Sequence, residues 1–382
     1  MSDAFIVGAD MIKFGRYPDR TPFELAAEAA LLALDDAGLS IRDVQAVYAG
    51  STFNSASMVA QRMLQLIGQT GADCVNVSNA CAAGATAVRQ AILAVKSGEY
   101  DVVLAVGAEK NPRGLMGGPR TEGPPPESLF GSVAPPSIFA EAGMVHANRY
   151  GTTIEQFAQV AVKNHHHATL NPKAAYRTET PLEEVLASEM IAWPLTKLMC
   201  SPNVDGAAAV IVVSEKKARE LGLTRAVRIR GSALVSDPYE PRSPELFDPN
   251  TVTRLAASKA YAMAGIGPED LDMVELHDCF ATAELLHYEN LGLCADGQAG
   301  RLIDSGDTAL GGRIPVNVSG GLLAKGHPIG ATGVANIVEI VYHLRGEVGA
   351  RQVAGARIGL AHVLGFAGVS ASAVHILEKA RA

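Results

Sequence analysis

The sequence predicts a layered α/β protein built from two copies of one α/β half, with a cap inserted into the first copy. Three observations predict it. The chain has 382 residues, 48% of them hydrophobic, which suffices for a large core without disulfides or metals. It carries 38 glycines but one tryptophan, which points to tight turns and small-residue packing rather than an extended binding module. The third observation is a stretch of text that occurs twice, in the same order, far apart.

The first unit is an alanine- and leucine-rich helix, Pro22 to Ala37. Gly38 stops it, and a polar turn leads into the apolar run Val44 to Ala49, giving an α-turn-β unit. Ala37-Gly38-Leu39-Ser40-Ile41-Arg42-Asp43-Val44 returns without a gap 227 positions later as Ala264-Gly265-Ile266-Gly267-Pro268-Glu269-Asp270-Leu271. A second match follows. Asn76-Val77-Ser78 with Gly84-Ala85-Thr86 lines up with Asn317-Val318-Ser319 with Gly330-Ala331-Thr332, the later set carrying five extra residues. Chance similarity is the competing reading, and two ordered matches point instead to a duplicated half. Lys110 to Pro194 has no counterpart. It opens on the Pro/Gly-rich run Asn111 to Pro126 and continues in a helix around Ile154 to His167, which reads as a cap over a functional face. The expected layout is residues 1–225 as the first half, with the cap at about 110–194, and residues 226–382 as the second.

A formal charge of −8 argues against a nucleic-acid surface, while leaving room for a local basic pocket for one phosphorylated cofactor. The five cysteines, Cys74, Cys81, Cys200, Cys279 and Cys294, are odd in number and lack metal-type spacing, so reduced thiols in a cytoplasmic enzyme are expected. No basic region followed by an apolar core opens the chain, and no apolar run reaches the roughly 18 residues that span a bilayer. Lys379 to Ala382 is not a Ser-Lys-Leu peroxisomal address.

Three segments carry chemistry. Cys81 sits where the strand-like Cys74 to Val77 gives way through Ser78-Asn79-Ala80 to a helix starting near Ala82-Ala83-Gly84. A cysteine there feels free backbone N–H groups and the positive helix end, which lower a thiol pKa and hold an oxyanion. The alternative is a buried cysteine acting as a small hydrophobe. His327 lies in the glycine-dense run from Ser319 to Gly333, either in an incidental turn or placed to take a thiol proton or donate to an oxyanion. His277-Asp278-Cys279-Phe280 follows the predicted strand Met273 to Leu276. Cys279 is there as a second thiol or as core packing, and Asp278 as a cap rather than a catalyst. Consecutive His165, His166 and His167 on a helix point apart and cannot share one metal, so no metal site is expected. Cys200, before the turn Ser201 to Gly206, and Cys74 and Cys294 show no comparable setting.

Together, Asn79-Ala80-Cys81-Ala82-Ala83-Gly84, His277-Asp278-Cys279-Phe280 and Gly326-His327-Pro328-Ile329-Gly330-Ala331-Thr332-Gly333 resemble the thiolase superfamily in order and separation. The His-Asp-Cys-Phe form resembles its sterol-carrier-protein branch, related to lipid-transfer-protein-like acetyl-CoA acetyltransferases, where other thiolases carry Asn-Glu-Ala-Phe. His146 to Thr152, Lys163 to His165 and Asn171-Pro172 are similar to that branch too. The resemblance implies a five-layered α-β-α-β-α fold of two halves with an inserted loop domain, assembled as a homodimer or homotetramer. It implies Cys81 as the acylated nucleophile, His327 as its activator, His277 with His327 as the enolate oxyanion hole, and Cys279 as the acid/base thiol. The backbone N–H groups of Cys81 and Gly365 would hold the tetrahedral intermediates. Coenzyme A and acyl-CoA would be substrates entering along the loop domain, with no permanently bound cofactor.

Two departures stand out. Most thiolases have Cys-x-Gly where this chain has Val363-Leu364-Gly365, and Cys279 takes over that thiol's role in the sterol-carrier-protein branch. Ala82 and Ala83 stand where that branch often has hydroxyl residues. The expected reaction is thiolytic cleavage of a 3-ketoacyl-CoA, or the reverse Claisen condensation, through acyl-Cys81. The rivals are a retro-aldol lyase or carbon acyltransferase working with a small accessory protein, a β-ketoacyl synthase, and a catalytically silent lipid-binding subunit.

Overall fold

A strand, β1 (Ala4–Met11), opens the chain and leads to α1 (Pro22–Ala37), whose ends are written in its sequence. Thr21 and Glu24 form a capping box, Pro22 pre-sets the first turn, and Gly38 closes the helix in the left-handed region at φ 66°. The computed structural model describes residues 3–112, 134–239, 249–367 and 369–380, so most of the run Asn111 to Pro126 lies outside the described residues.

The chain continues through β2 (Ala46–Gly50), α2 (Val59–Ile67), β3 (Asp73–Val77), α3 (Ala83–Lys96) and β4 (Val102–Glu109). The cap follows with α4 (Pro135–Tyr150), α5 (Ile154–Thr169), α6 (Leu182–Ala187) and the short hairpin β5 (Met190–Ala192) and β6 (Leu195–Thr196). β7 (Gly206–Ser214) returns to the sheet and α7 (Glu215–Leu221) leads out. The second half runs β8 (Val227–Ser236), α8 (Pro249–Ala264), β9 (Met273–Glu275), α9 (Ala281–Asn290), α10 (Ala299–Asp304), α11 (Ile329–Arg345), β10 (Ile358–Phe366) and β11 (Ser370–Lys379).

The repeat found in the sequence is a structural repeat. In each copy a helix ends on a left-handed glycine, Gly38 at φ 66° and Gly265 at φ 64°. A 3-10 turn follows, closed by an aspartate that accepts from the backbone N–H of Ser40 at 2.8 Å or Gly267 at 2.9 Å, and then a strand, β2 or β9. Strand order is β3-β2-β4-β7-β1-β8-β11-β10-β9, symmetric about the seam where β1 pairs β8, with β7 matching β11, β4 matching β10, β2 matching β9 and β3, among the described residues, the one extra strand at the edge of the first half. The seam is narrow, with Phe5 opposite Arg228 and Ile6 opposite Val227.

Helices α1 and α2 cover the outer face of the first half-sheet and α8 covers that of the second, while α3 and α11 pack on each other and α11 touches strands of both halves. This is five layers, three of helices and two of strands. The middle crossing is close because it is made of glycine: a Cβ on Gly84 would stand 2.4 Å from the Gly330 carbonyl. Both halves therefore deliver a strand-to-helix junction to one place, the start of α3 and the start of α11. Among the described residues no helix is long and apolar enough to cross a membrane.

Candidate active site

The junction after β3 is sharp. Ala80 has φ 47°, unusual for a residue with a Cβ, and it is held there by the Thr52 hydroxyl, which donates to its carbonyl at 2.9 Å. Thr52 is itself fixed, because its N–H donates to buried Glu109 at 2.7 Å. Glu109, the last residue of β4, also accepts from the Ser51 hydroxyl, the backbone N–H of Phe53 and the Asn54 amide, and from Gly330 N–H at the start of α11. One carboxylate thus ties the loop over Cys81 to the helix that follows His327. Burial pushes the Glu109 carboxyl up from its ordinary range, against the pull of those donors.

Cys81 faces a cavity of about 550 Å³ whose lining includes His277, Cys279 and His327. Its sulfur lies 3.3 Å from His327 Nε2. The expectation of a lowered thiol pKa is overturned. Desolvation of the half-buried Cys81 side chain drives its thiol up to about 12, against the pull of the backbone N–H groups of Cys81 and Phe366, and α3 starts only at Ala83. His327 is driven down to about 3 by its own burial.

The tautomer of His327 follows from its partners. Thr332 Oγ1 lies 2.9 Å from the Pro328 carbonyl, which can only accept, so the single hydroxyl proton goes there. Its oxygen then accepts Nδ1–H of His327 at 2.7 Å, leaving Nε2 as the base that faces the thiol. In the first half Thr86 makes the same bond, donating to Ala82 O at 2.9 Å while accepting from Asn79 at 3.0 Å. The second textual match thus marks the two sides of one reaction centre.

His277 stands edge-on to His327, ring centres 5.2 Å apart. It is buried and pushed well below its ordinary value, first by burial and then by His327, His362 and His287. Cys279 is buried beside Cys81, and its thiol is pushed well above the ordinary range, chiefly by burial and then by Cys81. Asp278 is a fastener. It accepts Leu322 N–H at 2.8 Å, Leu323 N–H at 3.2 Å and the Asn164 amide at 2.8 Å, pinning the π-helical turn Gly321–Lys325 that leads to His327. Glu284 receives Lys163 at 2.7 Å and Asn317 at 2.7 Å and extends the same buried network into the cap.

Gly365 needs a correction. Ala367 N–H bonds Val369 O, and bonded pairs alternate along an antiparallel ladder, so the N–H of Gly365 faces Ala371 on β11. The N–H that reaches the Cys81 sulfur is that of the next residue, Phe366. Gly365 serves by what it lacks, since a Cβ there would stand 2.2 Å from the Asn79 carbonyl.

The three histidines of α5 part ways. His165 lines the cavity, exposed His166 pairs with Glu179 at 2.8 Å, and His167 bridges Asn317 O and Leu310 N–H at 3.0 Å each. The Cys81 sulfur and one ring nitrogen each of His277 and His327 lie within 4.8 Å of one another, a donor set with the chemistry of a zinc site. Cys200, set aside in the sequence, also lines the cavity. Glu109, Thr332 and Phe366 were missed as site residues; the sequence signal for Glu109 is a lone charge closing an apolar strand.

Comparison with known proteins agrees. Residues 4–123 match the family description "Thiolase, N-terminal domain", and residues 242–379 match "Thiolase C-terminal domain-like". An acetyl-CoA acetyltransferase of Methanothermobacter thermautotrophicus is 40% identical over 390 residues, covering 99% of this chain and 100% of that protein. Sterol carrier protein 2 of Homo sapiens is 39% identical over 382 residues, covering 95% of this chain and 70% of that protein. Among solved structures, the Ltp2-ChsH2(DUF35) aldolase superposes with a TM-score of 0.84 at 30% identity, over 99% of this chain and 98% of that one. With the duplicated fold and the Cys-His-His-Cys cavity already in hand, these matches establish that the chain belongs to the thiolase family.

Proposed function

We propose that this enzyme is an acyl-CoA C-acyltransferase that cleaves 3-ketoacyl-CoA thioesters by thiolysis, and runs the reverse Claisen condensation with the same groups. The 3.3 Å approach of His327 Nε2 to the Cys81 sulfur, with a second thiol in the same cavity, carries the reading. His327 takes the Cys81 proton as the sulfur attacks the 3-keto carbon, and the backbone N–H groups of Cys81 and Phe366 hold the oxyanion. The bond between C2 and C3 then breaks, its electron pair passing into the enolate of the departing acetyl- or propionyl-CoA. His277 and His327 donate to that enolate oxygen while the Cys279 thiol protonates C2. Free CoA gives its proton to the Cys279 thiolate and attacks acyl-Cys81, which leaves and recovers its proton from His327.

The two halves, 1–225 and 226–382, would each supply part of the machinery, Cys81 from the first and His277, Cys279 and His327 from the second. A homodimer or homotetramer is the assembly we expect. β3 is an edge strand of the sheet with Val75 43% exposed, a surface that another strand can pair with. The five free cysteines fit a reducing, cytoplasmic setting.

The likeness to an aldolase keeps one rival in view, a lyase working with an accessory protein. Cys81 within reach of His327 favours thiolysis, since a retro-aldol cleavage forms no acyl-cysteine. Mass spectrometry after incubation with acetoacetyl-CoA and a longer 3-ketoacyl-CoA decides the matter. An acyl mass on Cys81 that free CoA removes, absent in Cys81→Ser, and turnover lost in Cys279→Ala, is the expected result. No adduct from either substrate would favour the lyase or a silent subunit.

A further inference from the structure

Behind His277 lies a second group of buried imidazoles that the proposed chemistry does not use. His362, in β10, and His287, in α9, meet with ring centres 4.6 Å apart at 69°, and both are buried. Their partners fix where each proton sits. The backbone N–H of His277 can only donate, and it reaches His362 Nδ1 at 3.5 Å. His362 therefore keeps its proton on Nε2, 3.5 Å from the Thr253 hydroxyl.

For His287 the chain of reasoning starts at the surface. Arg254, half-exposed and paired with Asp296 at 2.6 Å, directs its Nε donor at Asn290 Oδ1 at 3.0 Å. That fixes the amide, turning its nitrogen toward Asn250 Oδ1 at 2.8 Å and His287 Nδ1 at 3.4 Å. His287 Nδ1 accepts, so its proton rides on Nε2, and that buried nitrogen has no partner among the described residues. The complementary orphan is His277 Nδ1, also buried and without a partner among them, on the residue whose own N–H reaches His362, the ring neighbour of His287. One is a donor in need of an acceptor, and the other accepts if His277 carries its proton on Nε2.

We propose that His287 is a positioning residue for His277: its Nε2–H, relayed through one internal water, donates to His277 Nδ1 and holds the His277 proton on Nε2, which opens to the cavity. This rests on the reading of His277 as an oxyanion donor, a task that needs an N–H rather than a lone pair facing the carbonyl. Arg254 and Asn290 set the direction of the array from outside. A buried water with donors and acceptors on both sides is an ordinary structural element in such a place.

Nitrogen NMR of the full-length enzyme carrying ¹⁵N-histidine, without substrate, tests this, with His277→Gln identifying the His277 signals. Wild type should show the proton on Nε2 and a bare Nδ1. Arg254→Met, altering a half-exposed residue, lets the Asn290 amide turn over; together with His287→Phe it should spread the His277 proton over both nitrogens. Both should lower kcat about tenfold with KM unchanged, and His287→Gln, which keeps an N–H at similar reach, should restore it. A wild-type His277 protonated on Nδ1 overturns the proposal, as do His277 signals unchanged in Arg254→Met. The tautomer is read in resting protein, so a failure of the thiolysis reading leaves this result intact, and the reverse holds too.

Discussion

His327 Nε2 lies 3.3 Å from the Cys81 sulfur, and burial drives the two groups in opposite directions, the thiol up to about 12 and the imidazole down to about 3. Between those values the resting pair is a neutral thiol beside a neutral imidazole, not a thiolate–imidazolium pair. The proton moves only when a carbonyl arrives in the N–H cradle to take the developing charge. Iodoacetamide brings no such carbonyl. Its reaction with Cys81 should be slow at pH 7 and rise about tenfold per pH unit through pH 9. A rate that is already flat below pH 7 would mean a preformed ion pair and would sink this account.

Thr332 decides which His327 nitrogen faces the thiol, since its oxygen accepts Nδ1–H at 2.7 Å. Thr332→Val keeps the shape and removes the acceptor, leaving a buried N–H unpaired at a cost of about 1–3 kcal/mol. The ring then gains from turning its proton toward another partner, and the base is lost from the sulfur. Turnover should fall about tenfold to a hundredfold, and Thr332→Ser should recover most of it. Equal turnover in Val and wild-type enzymes would remove Thr332 from the mechanism.

Much of this was legible in the sequence because local rules coincide with tertiary need. The capping box at Thr21 and Glu24, the stop at Gly38, and the repeated glycine–turn–aspartate unit made one half-fold readable twice. The motifs around Cys81, His277 and His327 were likewise visible, since side chains brought to one cavity from separate elements need fixed local neighbours. What failed were quantities set by burial. The helix-terminal argument gave the wrong sign for Cys81, because the N–H groups that face its sulfur are its own and that of Phe366 in β10 rather than those of α3, and desolvation outweighs them. The assignment of Gly365 slipped by one residue, and in a strand one residue reverses the direction of every N–H. Glu109 could not be found from spacing at all, since its five donors come from residues 51 to 54 and from Gly330.

Gly365→Ala tests the close approach of β10 to the elbow. The added Cβ would meet the Asn79 carbonyl at 2.2 Å and Ala82 N at 2.9 Å, backbone atoms that cannot swing aside. Overpacking of this kind costs about 1–3 kcal/mol, which a core of this size survives. The strand must instead draw back, taking the Phe366 N–H away from the sulfur. We expect a folded protein that has lost at least about a hundredfold in kcat, the scale of one missing oxyanion donor. A folded Gly365→Ala enzyme with wild-type turnover would show that the Phe366 N–H is not part of the cradle.

Acid should unfold the protein from an unusually high pH. Burial holds His165, His167, His277, His287, His327, His343, His362 and His375 below their ordinary value of 6.5. In the unfolded chain each takes a proton near pH 6.5, whereas the folded form does not. The unfolded state therefore binds more protons below that pH, and stability that is full above about pH 6.5 is lost as pH falls. Glu109, Glu275 and Asp278 work the other way, since burial raises their carboxyls, but three such groups are outnumbered by the eight histidines. His375 isolates one contribution, for it lies outside the cavity lining, between Ser232 at 3.0 Å and the Ala85 carbonyl at 3.2 Å, and titrates near 4. Urea midpoints at pH 7.5, 6 and 5 should fall steeply for wild type. In His375→Gln the slope between pH 6 and 5 should be shallower by about 1.2 kcal/mol per pH unit, a little under the value of one full proton. An unchanged slope would mean that His375 takes its proton without unfolding, and that burial does not hold it neutral.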